Sequence, residues 1–219
     1  MEKQPLKVAK AKLVLVTGGA RSGKSAFAEE YAAKAAGPEG KVAYLATAQI
    51  YDEEMKFRVK RHQERRPASW QTFEAPTEPQ VLAALQEAGS TCDVILFDCL
   101  TLYLSNFLCS CSEDKLHDEA WLYESVHNMA DKLIEALSCM SRARALVMVT
   151  NEVGAGIVPE NHLARLYRDL AGLMNQRLGA EAEAVYLNVC GQAVNVKKLA
   201  VTAEEAARLD LGRPAECAL

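Results

Sequence analysis

The sequence lacks any long apolar run, any strong excess of charge and any recognisable export segment. No apolar stretch approaches the roughly 20 residues that a membrane-spanning helix needs. The formal net charge of the 219 residues is −4, so no global charge attracts nucleic acid or anionic lipid. We therefore expect no membrane span and no nucleic-acid partner.

The amino-terminal segment also lacks the apolar core of a secretory signal. Residues 1–12 are polar and basic, and we expect them to form a flexible tail ahead of a single catalytic domain over residues 13–219. Half of all residues are hydrophobic, which suffices for a sizeable core. Because no export signal is present, we expect a cytoplasmic protein with reduced thiols.

The seven cysteines lack the spacing of a usual metal site. Cys109 and Cys111 form one close pair, but no second pair or nearby histidine completes four ligands. Several other cysteines lie within apolar runs and are expected in the core.

Short apolar runs alternate with helical stretches along the chain. The runs are apolar almost continuously, as strands buried on both faces of a parallel sheet are. This alternation predicts an α/β fold with a mostly parallel central sheet flanked by helices. The predicted strands are 13–17, 42–46, 94–98, 146–150 and 185–189, and the predicted helices are about 24–36, 52–66, 78–88, 118–138 and 160–178.

A phosphate-binding loop is predicted between the first strand and the first helix. The pattern G-x-x-x-x-G-K-[ST] is met by Gly18, Gly19, Ala20, Arg21, Ser22, Gly23, Lys24 and Ser25. Its glycines let backbone N–H groups turn towards phosphate oxygens at the start of a helix. Lys24 would contact the terminal phosphates, and the Ser25 hydroxyl would bind Mg²⁺. A glycine-rich turn with a chance Lys-Ser is disfavoured by the flanking strand and helix.

A second acidic element is expected at the end of the strand 94–98. Asp98 follows four apolar residues, and ligands of open α/β sheets bind at the carboxyl ends of strands. We interpret Asp98 as a further Mg²⁺ ligand. The alternative is an ordinary polar residue at a strand end.

The segment 56–66 carries six cations around one histidine in a net acidic chain. On a helix, Arg58, His62, Arg65 and Arg66 would share a face. Guanidinium groups there would bind phosphates and keep the His62 imidazole neutral, hence nucleophilic. A solvated basic face with an incidental histidine is the alternative. A nucleic-acid contact is a third and less favoured interpretation, because the patch is short and has no interleaved aromatic rings.

Several separate stretches together resemble the adenosylcobinamide kinase / adenosylcobinamide-phosphate guanylyltransferase family. They are T-G-G-A-R-S-G-K-S at 17–25, A-T-A-Q-I-Y-D-E-E-M at 46–55, R-V-K-R-H-Q-E-R-R-P-A-S-W at 58–70, F-D-C-L-T-L-Y-L-S-N at 97–106 and T-N-E-V-G-A-G-I-V-P-E-N-H-L-A-R-L-Y-R-D-L-A-G-L-M-N-Q at 150–176. The last stretch is the most specific. The resemblance extends over about residues 13–199 and implies a RecA-like P-loop NTPase fold and a homotrimer.

The resemblance implies two reactions on one substrate. ATP or GTP would phosphorylate adenosylcobinamide, and GMP would then be transferred from GTP through a covalent GMP–histidine at the position of His62. The guanine-nucleotide contacts implied by position are Gly18–Ser25, Thr47, Ala48, Gln49, Gln63, Glu64, Arg65, Arg66, Glu74 and Asp98. Many relatives carry Ser at position 48 and His at position 69, where this chain has Ala and Ser. One alternative is a small-molecule P-loop kinase without nucleotidyl transfer. The other is a non-catalytic nucleotide-dependent switch or a nucleic-acid-binding ATPase, which the stretch 150–176 disfavours.

The residues of the stretch 150–176 also predict a ligand-site loop and a helix, independently of the resemblance. The stretch follows a strand, so Asn151 and Glu152 are expected in a loop that builds a ligand site. Asn161 is a candidate helix N-cap. Arg165, Arg168 and Asp169 on that helix are interpreted as positioning the corrinoid or a subunit interface, or equally as members of surface ion pairs.

Overall fold

The computed structural model describes residues 10–49 and 53–211. The strands are Lys12–Gly18 (β1), Val42–Ala46 (β2), Gln71–Glu74 (β3), Val94–Asp98 (β4), Ala145–Val149 (β5), Ala184–Val189 (β6) and Gln192–Asn195 (β7). The helices are Lys24–Ala36 (α1), Glu53–Arg65 (α2), Glu78–Thr91 (α3), Leu100–Ser110 (α4), Glu113–Leu116 (α5), Glu119–Cys139 (α6), His162–Glu181 (α7) and Ala203–Leu211 (α8). In the described ranges, no helix combines the length and apolar character that a membrane crossing requires.

The strands form one seven-stranded sheet in the order β3-β2-β4-β5-β1-β6-β7. All neighbouring pairs are parallel except β6 and β7, which form an antiparallel hairpin. The α/β class with a mostly parallel sheet is therefore confirmed. One strand, β5, separates the phosphate-loop strand β1 from β4.

The core lies on both faces of the sheet, as the continuous apolar runs predicted. Successive strand residues point to opposite faces, so Leu13 and Leu15 join the larger core under α3, α4, α6 and α7, whereas Val14 and Val16 join the smaller core under α1. On α1 the buried apolar positions are Ala28, Ala32 and Ala36. These small side chains let the helix pack close to the sheet behind the phosphate loop.

Besides the short helix α5, four of the described strands and α-helices were not predicted from the sequence. Helix α4 follows β4 directly, and its buried residues Leu100, Tyr103, Leu104 and Leu108 have the i, i+3, i+4 spacing of a helix. Strands β3 and β7 have only four residues each, too few for a periodic signal. Helix α8 is the fourth. The segment 109–118, predicted as a polar loop, contains the end of α4 and the short helix α5.

Candidate nucleotide site

A cavity of about 1350 Å³ lies at the carboxyl edge of the sheet. It is lined by residues from the phosphate loop, the ends of β2, β3, β4 and β5, and helix α2. The predicted nucleotide residues among its lining are Ala20, Arg21, Ser22, Gly23, Lys24, Ser25, Ala48, Gln49, Gln63, Arg66, Glu74 and Asp98. Ala20 and Asp98 thus line the same cavity although they are 78 positions apart in the sequence. They meet because the carboxyl ends of parallel strands lie at one edge of the sheet.

Two glycines of the phosphate loop occupy positions that exclude a side chain. Gly18 has φ +152°, and a Cβ there would lie 2.5 Å from the Asn188 carbonyl oxygen and 2.6 Å from Ser22 Oγ. Gly23, the N-cap of α1, has φ +96°, and its Cβ would lie 3.0 Å from Gly191 Cα. Gly18 and Gly19 are not among the cavity-lining residues. The first glycine therefore serves the tight turn of the loop.

The loop is held from both sides by backbone hydrogen bonds. The Gly191 N–H donates to the Ser22 carbonyl at 2.9 Å, and the Glu152 N–H donates to the Gly18 carbonyl at 3.1 Å. Gly191 belongs to the two-residue turn of the β6–β7 hairpin, where Cys190 and Gly191 both have positive φ, as hairpin turns of this length favour. The unpredicted strand β7 therefore supports the phosphate loop.

Lys24 lies within the loop at 9% exposure. Its Nζ donates to the Gly19 carbonyl at 3.0 Å. Burial lowers the pKa of Lys24, and the neighbouring Cys99 and Asp98 charges oppose that shift. Asp98 is therefore close enough to the phosphate loop to act electrostatically on its lysine, although β5 lies between their strands.

Asp98 is tied to β2 by a residue that the sequence reasoning missed. Tyr44 lies in β2 at 2% exposure, and its hydroxyl donates to Asp98 Oδ2 at 2.5 Å. Burial raises the pKa of Tyr44 well above its ordinary value, and the negative charge of Asp98 adds to this. The Arg66 guanidinium lies over the Tyr44 ring, 3.5 Å from its centroid. Tyr44 stands in an apolar run, so its place in the sequence does not distinguish it from a tyrosine that only fills the core.

Thr47, predicted to contact nucleotide, is fully buried and is not among the cavity-lining residues. Its hydroxyl donates to the Cys99 carbonyl and accepts from the Cys99 N–H, both at 2.8 Å. Its own N–H donates to the Asp98 carbonyl at 3.1 Å. Through these hydrogen bonds, the Thr47 side chain joins the ends of β2 and β4.

Helix α2 is confirmed over Glu53–Arg65. The side chains of His62, Arg58, Arg61 and Arg65 lie outside the described part of the structure, so their shared face stays a prediction. On the same helix, Phe57, Val59 and Gln63 line the cavity. Glu64 is exposed and lies 3.9 Å from Lys60, and it is not a lining residue.

The loop after β5 is fixed by helix α7. Asn161 is the N-cap, as predicted, since its side chain accepts from the Ala164 N–H at 3.0 Å. Arg168 donates to the Gly154 carbonyl at 2.7 Å, and Arg165 donates to the Pro159 carbonyl at 3.1 Å. Both arginines thus hold the main chain of the loop, a role that the sequence had not suggested.

A polar network continues from this loop into the cavity. The Asn151 amide donates to Thr101 Oγ1 at 2.8 Å, and the Tyr167 hydroxyl donates to the Thr101 carbonyl at 3.2 Å. Burial raises the pKa of Tyr167 to about 12, so it stays a neutral donor at physiological pH. All three residues line the cavity. Of the three, Asn151 was singled out from the sequence as the first residue after a strand, whereas Thr101 and Tyr167 lie within the stretches that resemble the family but were given no role.

Comparisons with known proteins identify the family. The family model described as cobinamide kinase / cobinamide phosphate guanyltransferase matches residues 14–196. The bifunctional adenosylcobalamin biosynthesis protein CobU of Salmonella typhimurium is 42% identical over 187 residues, which cover 84% of this chain and 99% of that protein. The protein of the same name from Escherichia coli is 42% identical over 188 residues, with the same shares covered. The bifunctional adenosylcobalamin biosynthesis protein CobP of Pseudomonas aeruginosa is 38% identical over 184 residues, or 84% of this chain and 96% of that protein. The chain belongs to the cobinamide kinase / cobinamide phosphate guanyltransferase family and is a transferase.

Proposed function

We propose that this enzyme phosphorylates adenosylcobinamide with ATP or GTP and then transfers GMP from GTP to the product, giving adenosylcobinamide-GDP in cobalamin biosynthesis. The observation that carries this proposal is a single cavity lined by both the phosphate loop and helix α2. A nucleotide bound in this cavity would therefore contact both the phosphate loop and the helix that carries His62.

The phosphoryl-transfer step is assigned to the phosphate loop. Backbone N–H groups and the amino end of α1 would hold the phosphates, and Lys24 would stabilise the charge that develops on the transferred group. Ala48, Gln49 and Glu74 are assigned to the nucleotide from their places in the cavity wall.

Mg²⁺ fits the donor set at this end of the cavity. The Ser25 hydroxyl and the Asp98 carboxylate both line the cavity, and both are hard oxygen ligands of the kind Mg²⁺ prefers. Within the described residues, no group of three or more His, Cys, Asp or Glu side chains forms a self-sufficient metal cage. Mg²⁺ typically uses one or two protein ligands besides phosphates and water. When bound, the ion would neutralise charge on the triphosphate.

The transfer step is assigned to His62. The unprotonated imidazole nitrogen attacks the α-phosphorus of GTP, the bond to the β-phosphate oxygen breaks, and pyrophosphate leaves. The phosphate of adenosylcobinamide-phosphate then attacks the same phosphorus, and the P–N bond breaks to restore the histidine. Both displacements conserve charge and atoms without an oxidant or reductant.

Labelling with GTP tests this proposal. GTP labelled in its α-phosphate should leave an acid-labile, base-stable label on the protein, whereas γ-labelled GTP should leave none. His62→Ala should lose the label and the transfer step but keep part of the kinase step. His127→Ala is the matched control, because His127 lies exposed on α6. Kinase activity in a wild-type protein that takes up no label would instead support a P-loop kinase without nucleotidyl transfer.

The family resemblance supports two further proposals. We infer a homotrimer, for which light scattering after size-exclusion chromatography should give three times the mass of one chain. We also infer a cytoplasmic location, which fractionation of the source cells tests.

A further inference from the structure

Tyr44 lies where the two halves of the proposed site meet. It stands in β2, two residues before the strand ends, and β2 pairs with β4 so that Ala46 lies opposite Asp98. The Tyr44 side chain extends diagonally from β2 towards β4, and its hydroxyl donates to Asp98 Oδ2 at 2.5 Å. The tyrosine is 2% exposed, yet it is also a lining residue of the cavity.

The ring of Tyr44 supports the end of helix α2. Arg66 directly follows the last helical residue, and its N–H donates to the Gln63 carbonyl at 3.3 Å. Its guanidinium lies 3.5 Å from the centroid of the Tyr44 ring, and its Nη1 donates to Thr72 Oγ1 at 3.4 Å. Cation–π contacts with arginine are geometrically demanding, because the planar guanidinium stacks on the ring. The carboxyl end of α2 is thus seated on one aromatic ring, four residues after His62.

We propose that Tyr44 is a positioning residue for both steps of the proposed function: its hydroxyl orients the Asp98 carboxylate, and its ring holds Arg66 and the end of α2. The inference rests on the proposed function for the roles of Asp98 and α2. It assigns Tyr44 no contact with the reacting atoms.

The hydroxyl has a specific task because an unrestrained carboxylate can rotate. With Oδ2 accepting from the Tyr44 hydroxyl, the rotation of the Asp98 side chain is restricted and the carboxylate is held in one orientation. Outer hydrogen-bond partners of this kind typically change metal affinity or activity by about 10- to 100-fold when removed.

Two substitutions separate the two tasks. Tyr44→Phe removes the hydroxyl and keeps the ring, whereas Tyr44→Met removes both and fills the space with a flexible apolar chain. Tyr44→Leu serves as a second ring-less variant if Tyr44→Met does not fold. Tyr186→Phe is the matched control, because Tyr186 lies in β6 of the same sheet and packs against Phe27 and Tyr31.

For Tyr44→Phe we expect kcat of the kinase step to fall about tenfold, the KM for the nucleotide in the presence of Mg²⁺ to rise, and the rate of α-phosphate labelling at saturating GTP to stay unchanged. Calorimetric titration with a non-hydrolysable GTP analogue should show a smaller gain in affinity on adding Mg²⁺ than in the wild type. The affinity in EDTA should be the same for both proteins. For Tyr44→Met we expect the kinase defect together with labelling that is at least about tenfold slower. Tyr186→Phe should match the wild type in every measurement.

Each half of the inference has its own refutation. A folded Tyr44→Phe protein with wild-type kcat and wild-type response to Mg²⁺ would overturn the role of the hydroxyl. A folded ring-less variant that takes up label as fast as Tyr44→Phe would overturn the role of the ring. In an Asp98→Asn background, Tyr44→Phe should add no further loss of kcat, since the hydroxyl is proposed to act only through that carboxylate. If the wild-type protein showed neither labelling nor cobinamide phosphorylation, the proposed function would fail. The Mg²⁺ titration would still test whether the Tyr44 hydroxyl orients the Asp98 carboxylate.

Discussion

Replacing Thr47 by valine should destabilise the protein through one backbone group. The Thr47 hydroxyl is the hydrogen-bond acceptor of the Cys99 N–H and also donates to the Cys99 carbonyl. That carbonyl keeps a second partner, the Tyr103 N–H at 3.1 Å, which begins helix α4. Valine has nearly the same shape as threonine, so no cavity forms. The main effect is therefore that the Cys99 N–H loses its hydrogen-bond acceptor. Cys99 is only 7% exposed.

The magnitude follows from these contacts. An unpaired buried N–H costs about 1–3 kcal/mol, and loss of the second hydrogen bond adds about 1 kcal/mol or less. We expect Thr47→Val to lower the free energy of unfolding by about 2–3 kcal/mol. Thr47→Ser keeps the hydroxyl and removes one buried methyl group, at a cost of about 1 kcal/mol.

Urea denaturation followed by circular dichroism measures both variants against the wild type. Equal m-values would show that the same surface is exposed on unfolding in all three proteins, which makes the free energies comparable. Because the Thr47 side chain does not line the cavity, folded Thr47→Ser protein should bind the GTP analogue as the wild type does. The reasoning is refuted if Thr47→Val is no less stable than Thr47→Ser.

Three further substitutions test the charges around the sheet. Lys24→Ala should fold but lower kinase turnover by about 10²- to 10³-fold, and a folded variant with wild-type turnover would exclude the role of this ammonium. Asp98→Asn should weaken Mg²⁺-dependent activity more than metal-free nucleotide binding, and an unchanged Mg²⁺ dependence would make Asp98 structural. The pKa of Asp93 is lowered by the Lys41 N–H and then by Arg142, so its carboxylate stabilises the fold above roughly pH 4, and this contribution is lost as the pH falls below that value. Urea denaturation should therefore show a stability gap between the wild type and Asp93→Asn at pH 7 that shrinks at pH 3, and a constant gap would contradict this assignment.

The sequence predicted the elements whose signals are local. The phosphate loop is a contiguous pattern between a strand and a helix, and the five apolar runs each became a strand to within one residue at most positions. Their parallel order placed Asp98 and the loop after β5 at one edge of the sheet, which the cavity confirms. Asn161 was recognised as an N-cap for the same reason, since capping depends on residues three positions apart.

The sequence did not predict the roles that depend on pairing between distant strands. Tyr44 and Asp98 are 54 positions apart, and Thr47 and Cys99 are 52 apart. Nothing in the run V-A-Y-L-A distinguishes a tyrosine that bonds a carboxylate from one that only fills the core. Likewise, Gly191 supports the phosphate loop only because β6 lies beside β1. The register of a sheet has to be known before such partners can be named.

The strand order also places Asp98 between the two halves of the proposed site. Neighbouring strands lie about 4.8 Å apart, so β4 is about 10 Å from the phosphate-loop strand β1, and β2 is about 14 Å from it. Helix α2 follows β2, so the histidine helix and the phosphate loop begin from opposite sides of β4. Asp98 lies between them, and it interacts with both sides: its charge acts on Lys24, and its carboxylate accepts from Tyr44, which seats Arg66. A change at Asp98 is therefore expected to act on the phosphate loop through its charge, whereas the Tyr44 ring, which holds Arg66, is kept. Asp98→Asn and Tyr44→Phe should both impair the kinase step and leave α-phosphate labelling near the wild-type rate, whereas a variant that lacks the Tyr44 ring should be slower in both.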